Sequence, residues 1–273
     1  MRKQNSESRP VEQELYQNER YEAILAVLNR LKKVSVQDLT HRFGVSEVTI
    51  RKDLGFLEER GKLVRIHGGA LLAEDEGHLR TIAFRQAEHA DEKKAIARKA
   101  RELIRPGETI FIDAGSTCAA LARGIRDMEL RVVTNSLDAI LELVDSAGIS
   151  LFSTGGSYRP EARSFIGPAA LETIRGVQID TCFMGTTGFS REGVFSSQNV
   201  IESALKGAVI RASRRAVMLA DHSKYGSTAF SVFARAEDID VLVMDSVMTD
   251  RQAVAALGME LVIAPVESAP EIG

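Results

Sequence analysis

The sequence predicts an α/β protein in two parts: three short helices with a β-hairpin wing, then a larger domain in which strands and helices alternate. Three observations carry that prediction. Apolar residues recur at helical spacing from Tyr21 to Leu57, with capping residues and glycines between the runs. A Gly68-Gly69 turn then joins two short apolar runs. Beyond Glu92, short strand-like runs alternate with helical patterns, the signature of a parallel sheet covered by helices on both faces. A length of 273 residues suits two domains, and 44% hydrophobic residues can fill real cores, which excludes global disorder.

The head is legible element by element. Residues 1–17 are polar and aperiodic and are expected to form a flexible tail. Tyr21, Ile24, Leu25, Leu28 and Leu31 then fall on one face of a helix. Ser35 followed by Asp38 reads as a capping pair, and Val34 with Leu39 as the hydrophobic staple that accompanies it. This second helix buries Leu39 and Phe43 and stops at Gly44, which suits a left-handed C-terminal position. Ser46 caps a third helix, with Val45 and Ile50 as its staple, Ile50, Leu54 and Leu57 as its core stripe, and Gly61 at its end.

Two short helices joined by Gly44-Val45-Ser46, the second of them basic, make a helix-turn-helix pattern. On the third helix Val48 and Lys52 lie roughly opposite Ile50, with Thr49 and Arg51 on the flanks. A small apolar group, a hydroxyl and two cations are the types that meet thymine methyls, phosphates and guanine edges. Residues 62–72 read as strand, Gly-Gly turn and strand, a wing carrying Lys62, Arg65 and His67. The candidate contacts to double-stranded DNA are therefore Ser46, Val48, Thr49, Arg51, Lys52, Arg65 and His67. A plain three-helix bundle with solvated charges is the competing reading. Charge favours DNA: residues 20–72 hold ten Lys/Arg against six Asp/Glu, whereas the rest of the chain holds 25 against 32.

The head is assigned to residues 18–73 and a linker to 74–91, where periodicity gives way to charge. The larger domain, 92–265, opens with a helix from Glu92 to Ile104 that Pro106-Gly107 terminates. Strands are expected at Thr109–Asp113, Arg131–Thr134, Ile149–Ser153, Ile179–Gly185, Ala216–Ala220, Val241–Met244 and Glu260–Ile263. Helices are expected at Thr117–Ile125, Leu137–Ser146, Val200–Ala212 and Arg251–Leu257, and residues 266–273 form a tail.

In such sheets ligands bind where strands end and helices begin. Asp113-Ala114-Gly115-Ser116-Thr117 is such a junction, and a glycine with two hydroxyls at a helix N-terminus suits an anion such as phosphate. A simple turn in which Ser116 caps the helix is the alternative. Asn135, Gly155 with Gly156, and Asp221 with Lys224 stand at three more strand exits. Glu202 and Lys206, four apart on a helix whose opposite stripe is Ile201, Leu205 and Val209, form either a surface salt bridge or, through Lys206, a ligand contact. Arg159 either reaches a phosphate or decorates a loop, and His222 is read as structural or exposed.

Val45-Ser46-Glu47-Val48-Thr49-Ile50-Arg51-Lys52-Asp53-Leu54, with Leu57-Glu58, Gly61 and Arg65-Ile66-His67-Gly68-Gly69-Ala70, closely resembles the DNA-binding signature of the DeoR family of sugar-operon regulators. One departure is Lys52, where the family commonly carries a second Arg; the charge is kept and the bidentate geometry lost. The larger domain is similar to that family's sensor domain at Asp113–Thr117, Val133–Ser136, Gly155-Gly156, Asp180 with Phe183–Gly185, Glu202 with Lys206, and Asp221–Lys224. The resemblance implies a fold related to ribose-5-phosphate isomerase and CoA-transferase-like proteins, and sugar-phosphate binding without turnover. It also favours repression of a carbohydrate-utilisation operon relieved by ligand.

No enzyme is expected, because the catalytic strings of the isomerases are absent, and no cofactor. Cys118 and Cys182 show no metal-ligand spacing, so no metal and no disulfide are expected. The polar N-terminus and the lack of a long apolar stretch point to a cytoplasmic protein without a membrane span. Because one head reads only a few base pairs, a homodimer or higher homo-oligomer is expected.

Overall fold

Both caps read from the sequence start the helices assigned to them. In the computed structural model, which describes residues 17–31, 33–60, 62–66, 68–72 and 88–266, the Ser35 hydroxyl accepts from the Asp38 N–H at 2.9 Å and the Ser46 hydroxyl from the Thr49 N–H at 3.2 Å. The chain divides into two units, 1–80 and 81–273. The predicted tail up to residue 16, Gly61, His67, most of the linker and residues 267–273 lie outside the described residues.

The first unit runs α1 (Gln17–Leu31), β1 (Lys33–Ser35), α2 (Val36–Phe43), α3 (Glu47–Glu59), β2 (Leu63–Ile66) and β3 (Gly69–Leu72). Gly44 takes the left-handed conformation, φ 65°, and its N–H closes α2 on the Thr40 carbonyl. Ile24, Leu28, Leu39, Ile50, Leu54 and Leu63 are fully buried and form one core. A buried ion pair that the sequence reading did not foresee, Arg20 Nε to Asp53 Oδ2 at 2.5 Å, ties α1 to α3. The wing is three-stranded rather than two-stranded, because β1 pairs with β3. This close approach requires the glycine at 69: a Cβ there would lie 2.1 Å from the Val34 carbonyl oxygen.

The second unit contains α4 (Ala90–Arg101), β4 (Thr109–Ile112), α5 (Ser116–Gly124), β5 (Leu130–Thr134), α6 (Leu137–Leu143), β6 (Ile149–Ser153), β7 (Ser157–Arg159), β8 (Ser164–Ile166) and α7 (Pro168–Arg175). It continues with β9 (Ile179–Gly185), β10 (Gly188–Phe189), β11 (Val194–Ser197), α8 (Val200–Ala212), β12 (Ser213–Ala220), β13 (Ser231–Arg235), β14 (Val241–Asp245), α9 (Arg251–Ala255) and β15 (Glu260–Ala264). Seven strands make one parallel sheet in the order β15-β14-β12-β9-β4-β5-β6. Strand alternation splits its side chains between two cores. Ile110, Ile112, Val217 and Leu219 pack with Ile96, Leu121 and Leu143 from α4, α5 and α6; Phe111, Met184, Met218 and Met244 pack with Ile174, Leu205 and Val209 from α7 and α8. The helix expected to reach Ile104 ends at Arg101, and β12 begins three residues before the predicted Ala216. The pair β7–β8, the small antiparallel sheet β10-β11-β13, and α7 were not foreseen.

Because all seven strands run the same way, their carboxyl ends share one edge. Register fixes the neighbours: Ile112 is opposite Thr134 and Phe183, and Leu219 is opposite Gly185. The residues that follow, Asp113, Asn135, Thr186 and Asp221, therefore stand on adjacent strand exits.

Candidate functional sites

On α3 the expected outward face is outward. Val48 is 63% exposed, and Arg51 and Lys52 are exposed beside it, while Thr49 is half-buried. Arg51 Nη2 lies 3.3 Å from the Glu47 carboxylate one turn earlier. An exposed pair of this kind contributes little to stability and leaves the guanidinium free to change partner. Ser46 is committed to its helix: its hydroxyl serves the Thr49 N–H and lies 2.9 Å from the Thr49 hydroxyl. Arg65 is exposed on β2, and its backbone N–H donates to the Glu58 carboxylate at 3.0 Å, which fastens the wing to α3.

In the second unit, the centre of the carboxyl edge is an ion-pair chain. The Lys206 ammonium donates to Asp113 Oδ2 and, at 3.0 Å, to the Gly185 carbonyl; the Gly185 N–H donates back to Asp113 at 3.1 Å. Glu202 stands 3.6 Å from Lys206 and accepts from Arg159 Nη1 at 2.6 Å. The surface salt bridge that the Glu202–Lys206 spacing suggested is not what forms. Lys206 is 3% exposed, whereas Ile201, assigned to the core stripe, is 51% exposed. The helix is rotated so that Ser203, Leu205, Lys206, Val209 and Ile210 face inward. Burial alone would lower the Lys206 pKa, but the Asp113 and Glu202 carboxylates outweigh it and hold the ammonium above its usual range. Arg159 is likewise an internal partner and not a loop decoration.

The Asp113–Thr117 junction turns at Gly115, which has φ 142° and open space where a Cβ would stand. Gly115 occupies the N-cap of α5, and no side chain caps that helix. Ser116 is the first helical residue, so the reading in which it is the cap does not hold. The uncapped N–H groups and helix dipole face the strand-exit edge. Asn135 is buried with its Oδ1 lacking a hydrogen-bond partner among the described residues, and the same is true of Ser164 Oγ, which sequence reasoning missed; Ser164 bridges Ser136. Gly155 has φ 61° and open space at its Cβ position, whereas Gly156 is required by packing, since a Cβ there would lie 2.5 Å from the Ile166 carbonyl oxygen.

At the next exit, Asp221 is buried. Its Oδ1 accepts from the Ser223 N–H and hydroxyl, while Oδ2 lacks a hydrogen bond among the described residues and faces Lys224 Nζ at 4.0 Å. Burial would raise the Asp221 pKa, but Lys224, the Ser223 hydrogen bond, Lys93 and His89 together more than offset it and keep the carboxyl below its usual range. Lys224 keeps a quarter of its side-chain surface exposed. His222 between them is held by Asp245, which accepts from its backbone N–H at 2.7 Å and contacts Nδ1 at 3.0 Å. No helix among the described residues is long and apolar enough to cross a membrane.

Comparison with known proteins agrees with both halves. Residues 88–246 match the DeoR C terminal sensor domain and residues 20–76 the DeoR-like helix-turn-helix domain. The chain is 35% identical over 84% of its length, and 88% of the relative, to the HTH-type transcriptional regulator YulB of Bacillus subtilis. It is 34% identical to the regulator GolR of Listeria innocua (84% and 90% covered) and 31% identical to the transcriptional repressor GlcR of B. subtilis (85% and 89%). Among solved structures, ribose 5-phosphate isomerase A of Methanocaldococcus jannaschii aligns over 50% of this chain and 55% of its own, with 17% identity and a TM-score of 0.39. The relatives are named as regulators, not enzymes, and the chain belongs to the DeoR family of DNA-binding transcriptional regulators.

Proposed function

We propose that this protein represses a carbohydrate-utilisation operon in the cytoplasm, and that a phosphorylated sugar bound at the carboxyl edge of the sheet releases it from DNA. The uncapped N-terminus of α5 carries this reading: it is a site for a dianion on an edge where Asn135 Oδ1 and Asp221 Oδ2 are buried without hydrogen bonds among the described residues. The phosphate sits on Gly115-Ser116-Thr117, with Lys224 as countercharge. The sugar hydroxyls face Asn135, Asp221 and the backbone at Gly155. Lys206 acts from behind: its charge is balanced by Asp113 and Glu202, so it shapes the pocket floor and adds little net attraction.

Val48, Thr49, Arg51 and Lys52 enter the major groove, and Arg65 with His67 on the wing grips the backbone. The repressor works as a homodimer or larger assembly, presenting two heads to one operator. The test is operator binding by full-length protein, with and without a panel of sugar phosphates. One of them should weaken binding at micromolar to millimolar concentration while the unphosphorylated sugar does not. If no sugar phosphate alters operator affinity, the effector assignment is wrong. Sedimentation of the full chain as a monomer at micromolar concentration overturns the assembly.

A further inference from the structure

His89 and Glu92, at the start of α4, lie beside His222, which follows β12 and is more than 120 positions away in sequence. Each of the three offers one ligand atom, and these atoms lie within 4.8 Å of one another. The His89 and His222 rings meet edge to face at 4.7 Å between centroids, and His89 Nδ1 stands 3.6 Å from Glu92 Oε1. All three side chains are about three-quarters buried, which removes much of the water that would compete for them.

We propose that His89, Glu92 and His222 bind a divalent transition-metal ion of the zinc type, with Asp245 as the group that orients His222. The supporting observation is the second partner of the His222 ring. Asp245 is fully buried at the end of β14, and its carboxylate contacts Nδ1 at 3.0 Å. A carboxylate there holds the proton on Nδ1 and leaves the Nε2 lone pair for a metal, the arrangement by which metal-binding histidines are positioned and made more basic. The same carboxylate also takes the His222 N–H and the Val247 N–H, so its own orientation is fixed by the backbone on both sides.

Two imidazoles and one carboxylate match the preference of a borderline-soft ion. Bonds of about 2.0–2.2 Å in tetrahedral geometry place ligand atoms about 3.3–3.6 Å apart, so closure needs only small side-chain rotations. Three protein ligands leave one position for water or an exogenous oxygen. Because Asp221 and Lys224 flank His222, that ligand stands next to the groups assigned above to the effector, although the metal site does not depend on that assignment.

His89 has φ 52°, a left-handed conformation that histidine, asparagine and aspartate adopt more readily than other residues with a side chain. His89→Asn therefore removes the imidazole while tolerating the backbone, and Glu92→Gln removes the carboxylate charge on an unaltered helix. Full-length protein, stripped with chelator, is titrated with zinc by calorimetry and with cobalt by visible absorption. The expected result is one ion per chain, cobalt bands of a low-coordinate site, and a zinc-dependent rise in melting temperature. Both variants should melt like the parent without metal and bind zinc at least about tenfold more weakly. Substoichiometric binding by the parent, or parental affinity in both variants, overturns the proposal.

Discussion

Lys206 and Asp113 form an ion pair across 93 positions of sequence, with 3% and 1% of their side chains exposed. Removing one partner of such a pair leaves an uncompensated buried charge, and this is where its cost lies. Lys206→Met should destabilise the protein by about 3–5 kcal/mol in urea melts. Asp113→Asn should cost less, because Glu202 still faces the ammonium at 3.6 Å. The double variant should recover much of the loss of Lys206→Met.

The penalty of Lys206→Met should also depend on pH, and the sign follows from Asp113. Burial pushes that carboxyl above its usual range, and without Lys206 only the hydrogen bond from the Gly185 N–H still pulls it back. A carboxyl whose folded pKa exceeds its unfolded one stabilises the fold below the unfolded value and loses that contribution as pH rises through the folded value. The variant should therefore be closer to the parent at about pH 5 than at about pH 8. An equal deficit at both would show that Asp113 is not the group left uncompensated.

A second expectation concerns α3. Arg51→Ala should weaken operator binding by about 1–3 kcal/mol if Arg51 reads a base edge, with loss of discrimination at one position. If Arg51 grips phosphate, the loss is uniform across sequences and the salt dependence falls. Glu47→Ala, which frees Arg51 from a 3.3 Å exposed pair, should leave stability within about 0.5 kcal/mol of the parent. Unchanged operator affinity in Arg51→Ala removes that residue from the interface.

The two thiols provide a third check. Cys118 packs on the α4–α6 side of the sheet and Cys182 on the α7–α8 side, so the sheet itself keeps them apart. Burial pushes both thiols up, Cys182 to about 12. Neither should react with a thiol reagent near neutral pH until the protein is unfolded, and both should react then. Rapid labelling of a native thiol would contradict this packing.

What was legible in the sequence was local. Ser35, Gly44 and Ser46 carry their meaning within four residues, and long runs such as Ile179–Gly185 and Val200–Ala212 have the bounds their patterns predicted. Strands of two to four residues, such as Gly188–Phe189 and Ser157–Arg159, are too short to show a period and exist only through partners elsewhere. Helix Pro168–Arg175 does carry a local signal, a proline at its first position after Gly167, but a single proline marks a turn as readily as a helix start. Lys206 misled for a physical reason: a lysine four residues after a glutamate looks the same whether the helix shows it to water or turns it toward an aspartate 93 positions back. The histidine cluster was invisible for the same reason, since sequence spacing says nothing about residues that only the sheet brings together.

The last expectation joins pocket to regulation. Gly115→Asp places a carboxylate where the effector's phosphate is assigned, and nothing lies within 4 Å of the new Cβ, so the first atom of the side chain enters open space. Its cost is conformational: φ 142° is unfavourable for a residue with a side chain, on the order of 1–3 kcal/mol. Negative charge at the uncapped start of α5 returns about 0.3–1 kcal/mol through the helix dipole. The variant should therefore fold, bind operator like the parent and fail to release it with inducer, a repressor locked on its DNA. Gly115→Ala separates strain from charge. It carries the same backbone penalty without the carboxylate, so it should respond to inducer at higher concentration, while Gly115→Asp should not respond at all. An effector can shift the protein only by binding its DNA-free arrangement more tightly than its DNA-bound one, so blocking the phosphate removes the shift and leaves operator affinity intact. If Gly115→Asp releases operator at parental inducer concentrations, the phosphate lies at another strand exit.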